Sequence, residues 1–156
     1  MDVAKELSTL DAEEASLELP AFDENAAFLL GSLIRERALR DRLPIAIEVA
    51  LFDRPLFYAA LPGSTYDNRE WLRRKANVVR RFHVSSLAMA YELQLNGWTL
   101  QSPYSLPAEE YAAVGGALPI RLRGFGVIGS AAVSGLPAID DHRVVAEGLR
   151  ELLARS

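Results

Sequence analysis

Four residue types that could recognise a small molecule fall within nine positions of DNREWLRRK: Asp67, Asn68, Trp71 and Lys75. They offer a carboxylate, an amide, a flat indole and an ammonium, a set suited to fixing a ligand's orientation. Each also has a structural use. Asp67 can cap a helix, Asn68 can fasten a loop and Trp71 can fill a core. Lys75 is the most informative of the four. Of 17 lysines and arginines, only Lys5 and Lys75 are lysine. At about 100° per residue, Lys75 lies roughly 40° from Trp71, inside the apolar row of Trp71, Val78, Phe82 and Met89. Arg69, Arg73 and Arg80 point away from that row. A lysine so placed either snorkels along apolar surface or holds an anion as a compact charge.

The elements that must position these residues follow from periodicity and punctuation. Asp67 and Glu70 have the spacing of a capping box, so a helix is expected from about residue 68. It runs to the Asn96-Gly97 stop, with a kink or break expected at Ser85-Ser86. Before it, PIAIEVAL alternates as a strand with one buried face, and LFYAAL returns as its hairpin partner. Asp23 caps a helix over about 24–42, with Ala27, Leu30, Leu33, Ile34 and Ala38 on its apolar side. Residues 1–15 read as a frayed leading helix or a flexible acidic arm, and Ser16–Leu19 as a short strand. PAEEYAAV suggests one or two helical turns ending at Gly115-Gly116. ALPIRL and GVIGSAAV form a second hairpin, and Asp140 or Asp141 caps a last helix carrying Val145, Leu149 and Leu152. The expected fold class is α+β, an antiparallel sheet of about five strands flanked by helices. A single domain over 16–156 is expected to follow the arm.

Composition removes several functions. Without cysteine there are no disulfides, thiolate metal sites or cysteine catalysis. Two histidines, His83 and His142, lack metal-ligand spacing, so no metal site is assigned. His142 is expected on the surface, and His83 near the midpoint of the long helix. The GFGVIG run matches G-x-G-x-x-G, but Gly135 and Pro137 arrive before a helix could open, which disfavours a dinucleotide site. Its glycines instead suit a strand that another backbone approaches closely. The net charge is −4, which counts against nucleic acid. No segment reads as a signal peptide or membrane span, and a soluble cytoplasmic protein is expected. Residues 68–82 nevertheless carry six bases against Glu70, while residues 1–24 carry eight acids against Lys5.

The runs DNREWLRRKANVVRRFHVSS and YAAVGGALPIRLRGFGVIGSAAVSGLPAIDDH, with PIAIEVAL, resemble the haem-degrading-domain family, also called HbpS/GlcG-like. The resemblance spans roughly residues 16–155. It is strongest to a branch marked by Asp-Asn-x-x-Trp-x-x-x-Lys and Gly-Gly-x-x-Pro-Ile. Asp67, Asn68, Trp71 and Lys75 match the first motif, and Gly115, Gly116, Pro119 and Ile120 the second. Gly126, Gly129, Ser134 and Gly135 match the family's glycine-rich strand and turn. The resemblance implies a profilin-like fold and homo-oligomers. It also brings haem as a candidate cofactor, but no haem-ligating histidine maps onto this chain, so haem is not favoured and the cofactor stays unassigned.

Two functions compete. One is a small anionic or cofactor-like ligand bound by Asp67, Asn68, Trp71, Lys75, Gly115 and Gly116 in an oligomer. The other is a non-enzymatic oligomeric scaffold or adaptor whose Arg-rich helix meets an acidic protein. No catalytic residue is identified, and the sequence leaves catalysis open.

Overall fold

Alternating strands and amphipathic helices assemble into a four-stranded antiparallel sheet with helices on both faces, as seen in a computed structural model that describes residues 1–156. The elements are α1 (Val3–Ala15), α2 (Glu24–Arg40), β1 (Ala46–Leu51), β2 (Arg54–Ala60), α3 (Tyr66–Phe82), α4 (Ser86–Asn96), β3 (Ala117–Leu122), β4 (Gly126–Ser134) and α5 (Ala138–Ala154). The strand order is β2-β1-β4-β3. The expected fold class is thus present with four strands. The fifth shrinks to one bridge, where Leu19 meets Leu122.

The two sheet faces differ in kind. On one, Ile47, Val49, Leu118, Ile120, Ala131 and Val133 pack against Leu30 and Ile34 of α2 and Val145 and Leu149 of α5. Each fully buried Leu, Ile or Val there contributes about 1.5–3 kcal/mol. The other face is narrow: Ala46, Ala117 and Ala132 receive Leu72 and Val79 of α3. These alanines let α3 sit close to the sheet, which brings Lys75 near the ends of β3 and β4. Pro119 is tolerated because β3 is an edge strand.

Several boundaries differ from the sequence reading. The long helical pattern divides, because His83 adopts φ 59° and ends α3. Ser85 then caps α4, its hydroxyl accepting from Ala88 N at 3.0 Å. The break therefore falls where the serine pair suggested, and Met89 belongs to a separate helix. The Asp67 cap is corrected too. Thr65 is the N-cap residue, and Asn68 Oδ1 accepts from Thr65 N at 2.7 Å, while Asp67 lies within the first turn. Neither Asp140 nor Asp141 occupies the cap of α5; that position is Pro137. PAEEYAAV forms a turn without a helix.

Where the sequence suggested a flexible arm, the structure has α1, whose Leu10 packs on Leu87, Ala88 and Tyr91 of α4. Glu14 of α1 is buried, and its carboxylate accepts from Ser85 N and Ser85 Oγ, both at 2.8 Å. An acidic residue thereby serves the N-terminus of another helix. No helix is long and apolar enough to cross a membrane.

Candidate functional site

Lys75 is the organising residue. Only 2% of it is exposed, which makes it the largest fully buried side chain in the protein. Its Nζ donates to Val133 O at 2.6 Å, Gly115 O at 3.1 Å and Asp141 Oδ2 at 3.3 Å. An ammonium has three protons, and all three find acceptors here. One side chain of α3 thus ties together the end of β4, the approach to β3 and the first turn of α5. Burial pushes the Lys75 ammonium below its ordinary value and the Asp141 carboxyl above its own, while their mutual attraction opposes both shifts. Asp141 is further held by Leu136 N, which donates to Oδ1 at 3.0 Å. The snorkelling alternative is excluded, because the amine head itself is enclosed.

The Gly-Gly motif serves this arrangement. Gly116 has φ 134°, a conformation that L side chains avoid, and a Cβ there would strike Lys75 Nζ and sit 2.6 Å from Val133 O. A Cβ on Gly115 would lie 2.5 Å from Ala138 O. Both glycines let the strand approach pass between Lys75 and α5. Gly129 likewise lets the β1 backbone come close at Ala50 and Leu51.

A cavity of about 320 Å3 opens beside the tie, within the size range of small-ligand sites. Asn68, Trp71 and Lys75 contribute from α3, Ser134, Gly135 and Leu136 from the β4–α5 turn, and Ala138 and Asp141 from α5. Val114 completes the wall. Asn68 uses Oδ1 for the helix cap and directs Nδ2 toward Ser134 Oγ at 3.4 Å. The Trp71 indole donates to Asp67 Oδ2 at 3.1 Å, and the Arg74 guanidinium stacks over the ring at 4.0 Å. At the start of α5, Pro137 offers no side-chain cap, and Ala138 N and Ile139 N have no acceptor within the chain.

Of the six residues singled out from sequence, Asn68, Trp71 and Lys75 therefore meet at the cavity wall. Asp67 stands behind Trp71 as its hydrogen-bond acceptor. Gly115 and Gly116 build the enclosure of Lys75 from outside the cavity. Asp141 and Ser134 complete the polar wall. Asp141 had drawn notice only as a helix cap, and Ser134 only through the family turn.

The two histidines lie elsewhere. His83 is exposed at the end of α3, stacked with Phe52 at 6.3 Å. His142, expected on the surface, is 5% exposed, with Nε2 3.0 Å from Glu13 Oε1. The Arg-rich face is only partly paired within the chain, for Arg69, Arg74 and Arg81 rest over aromatic rings without an ion pair. Arg73 pairs with Glu70 and Glu110, and Arg80 with Asp53.

Comparison with known proteins adds context. The family described as haem degrading protein HbpS-like matches residues 22–150. A UPF0303 protein of Brucella anthropi is 46% identical over 154 residues, covering 99% of this chain and 91% of that protein. Among solved structures, the Ybr137w protein superposes with a TM-score of 0.87 at 28% identity, covering 96% of this chain and 88% of its own. A PduOC:heme complex superposes at 0.71 with 17% identity, covering 83% of this chain and 94% of its own, a likeness of fold alone.

Proposed function

The chain belongs to the HbpS-like haem-degrading protein family, and from that premise we propose that it binds a small anionic ligand in the cavity between α3 and α5, as a homo-oligomer. The observation that carries this reading is the composition of the cavity wall. Asn68 Nδ2 and the Ser134 hydroxyl can donate, and the free amide of Ala138 at the start of α5 can add to them. The Lys75 ammonium lies beneath, and Arg74, outside the lining, stacks over the Trp71 ring. Lys75 acts by fixing the wall, since its protons are already engaged and its charge is balanced by Asp141. Asp141 does not repel an anion as a free carboxylate would, because Lys75 neutralises it. The Trp71 ring gives a planar or apolar portion of the ligand a surface.

Haem, the group the family name brings, does not fit this cavity. Its wall contains no imidazole, thioether, thiolate or phenolate to serve as an axial ligand. The Nε2 atom of the buried His142 already faces Glu13.

Self-association is supported by the unpaired outer edge of β2 and by Phe125, 80% exposed at the tip of the β3–β4 hairpin. A cysteine-free chain without a membrane-crossing helix suits the cytoplasm. The adaptor alternative has less support, because Arg73 and Arg80 already have carboxylate partners.

The test is fluorescence of Trp71 in a Trp98→Phe background, which leaves one indole, titrated with inorganic phosphate and with small mono- and dicarboxylates. A saturable change that is lost in a Ser134→Ala, Asn68→Asp double variant is expected. A flat response to every anion would remove the reading.

A further inference from the structure

A second cleft, of about 400 Å3, lies on the opposite side of the first turn of α5, between α1, α4 and α5. It shares no residue with the Lys75 cavity. Two polar groups in its wall are left without partners. Tyr91 is only 8% exposed, and its hydroxyl makes no hydrogen bond within the chain. His142 is 5% exposed; Nε2 meets Glu13, but Nδ1 has no partner. Of the two, only His142 Nδ1 is fully enclosed; the Tyr91 hydroxyl keeps an accessible face and is free to meet an occupant of the cleft.

The charges around the cleft are of both signs, Glu6, Glu13 and Glu147 with Arg143 and Arg150, and Glu147 is engaged by Arg37 of α2. Glu6 forms no ion pair, and Glu13 is shared between His142 and Arg150. Arg150 reaches Glu13 only at 3.4 Å, and Arg143 reaches Asp140 only at 3.4 Å; both arginines are well exposed. Such long, solvated pairs are weak and easily exchanged for a better partner. Leu10 and Leu87 provide an apolar floor beside Tyr91.

The geometry points to this cleft as a binding site for a small zwitterion with an apolar side chain, such as an α-amino acid. Its carboxylate would lie on the arginines of α5, and its ammonium on Glu6 and Glu13 of α1. Its side chain would rest on the leucine floor, with the Tyr91 hydroxyl donating to the carboxylate. Because charges of both signs must be met, an amine or an acid alone leaves one side of the cleft unpaired. Occupancy would also join α1 to α5, which are otherwise bridged by Glu13.

Saturation-transfer NMR and calorimetry with L-phenylalanine and L-leucine test this on the full chain, with phenethylamine and 3-phenylpropionate as single-charge analogues. Saturable binding at about millimolar affinity or tighter is expected for an amino acid, with each analogue at least about tenfold weaker. Arg143→Gln with Arg150→Gln should abolish binding, and Tyr91→Phe should weaken it several-fold. Trp71→Phe, in the other cavity, should leave it unchanged, so this result is independent of the anion reading above. No saturation by either amino acid, equal binding of an analogue, or equal affinity in the double arginine variant would overturn the assignment.

Discussion

Removing the Lys75 amine with Lys75→Met is the perturbation whose cost follows most directly from the geometry. The methionine keeps the apolar stem, so little cavity forms. What is lost is polar. Gly115 O and Val133 O each lose a donor, and Asp141 keeps Leu136 N but loses its counter-charge. Breaking a buried pair by deleting one partner costs about 3–5 kcal/mol. Asp141 can relieve part of this by taking up a proton, which its burial already favours. For a chain of this size the full loss corresponds to a fall in Tm of about 6–20 °C, and protonation of Asp141 moves the result toward the lower end. The assay is urea denaturation of Lys75→Met, Asp141→Ala and the double variant. The two single losses should exceed the double loss by at least about 1 kcal/mol, the sign of a coupled pair. A Lys75→Met midpoint within about 0.5 kcal/mol of the parent, or losses that simply add, would refute the reasoning.

Other expectations follow from the same contacts. The Lys75 value is lowered from 10.5, so between its folded value and 10.5 the unfolded chain binds more protons; stability should rise with pH across that window and lose this slope in Lys75→Met. Burial raises Glu48 above 4.5, so the folded chain holds that proton longer and stability falls as pH rises through the interval; Glu48→Gln should raise the denaturation midpoint at neutral pH and not in acid, and an equal shift at both would contradict this. Asn68→Ala should cost about 1 kcal/mol by removing the capping bond, whereas Asp67→Asn should stay within about 0.5 kcal/mol; the reverse ranking in denaturation would restore Asp67 as the cap. Gly116→Ala should cost about 2 kcal/mol or more, since both its φ and the Val133 carbonyl oppose a Cβ; a neutral effect would show that the Lys75 enclosure is loose.

What the sequence disclosed depended on how local the cause was. α2, β1 and the hairpins were readable because their apolar periods repeat within a few residues. Lys75 stood out for the same reason: α3 is regular from Tyr66 to Phe82, so a wheel drawn from Trp71 holds as far as Phe82. It fails at Met89, because His83 takes a left-handed conformation that nothing nearby in the sequence requires. α1 was read as an arm because its acids look solvated. Glu14 is buried only because Ser85, 71 residues on, presents a helix N-terminus to it. Asp141 was legible as a helix-start residue and nothing more, since its partner lies 66 positions away. The glycines at 115 and 116 were visible as a motif, but their reason, the passage of backbone beside a buried ammonium, exists only in three dimensions.

The central claim, a small anion held between α3 and α5 of an oligomer, meets its most direct test in a native mass spectrum of the protein purified from its own host. The spectrum should show a multiple of the 17.2 kDa subunit carrying added small-molecule mass that acid releases, with that mass lost in the Ser134→Ala, Asn68→Asp variant. A bare 17.2 kDa monomer, or bound mass that persists in the variant, would contradict it.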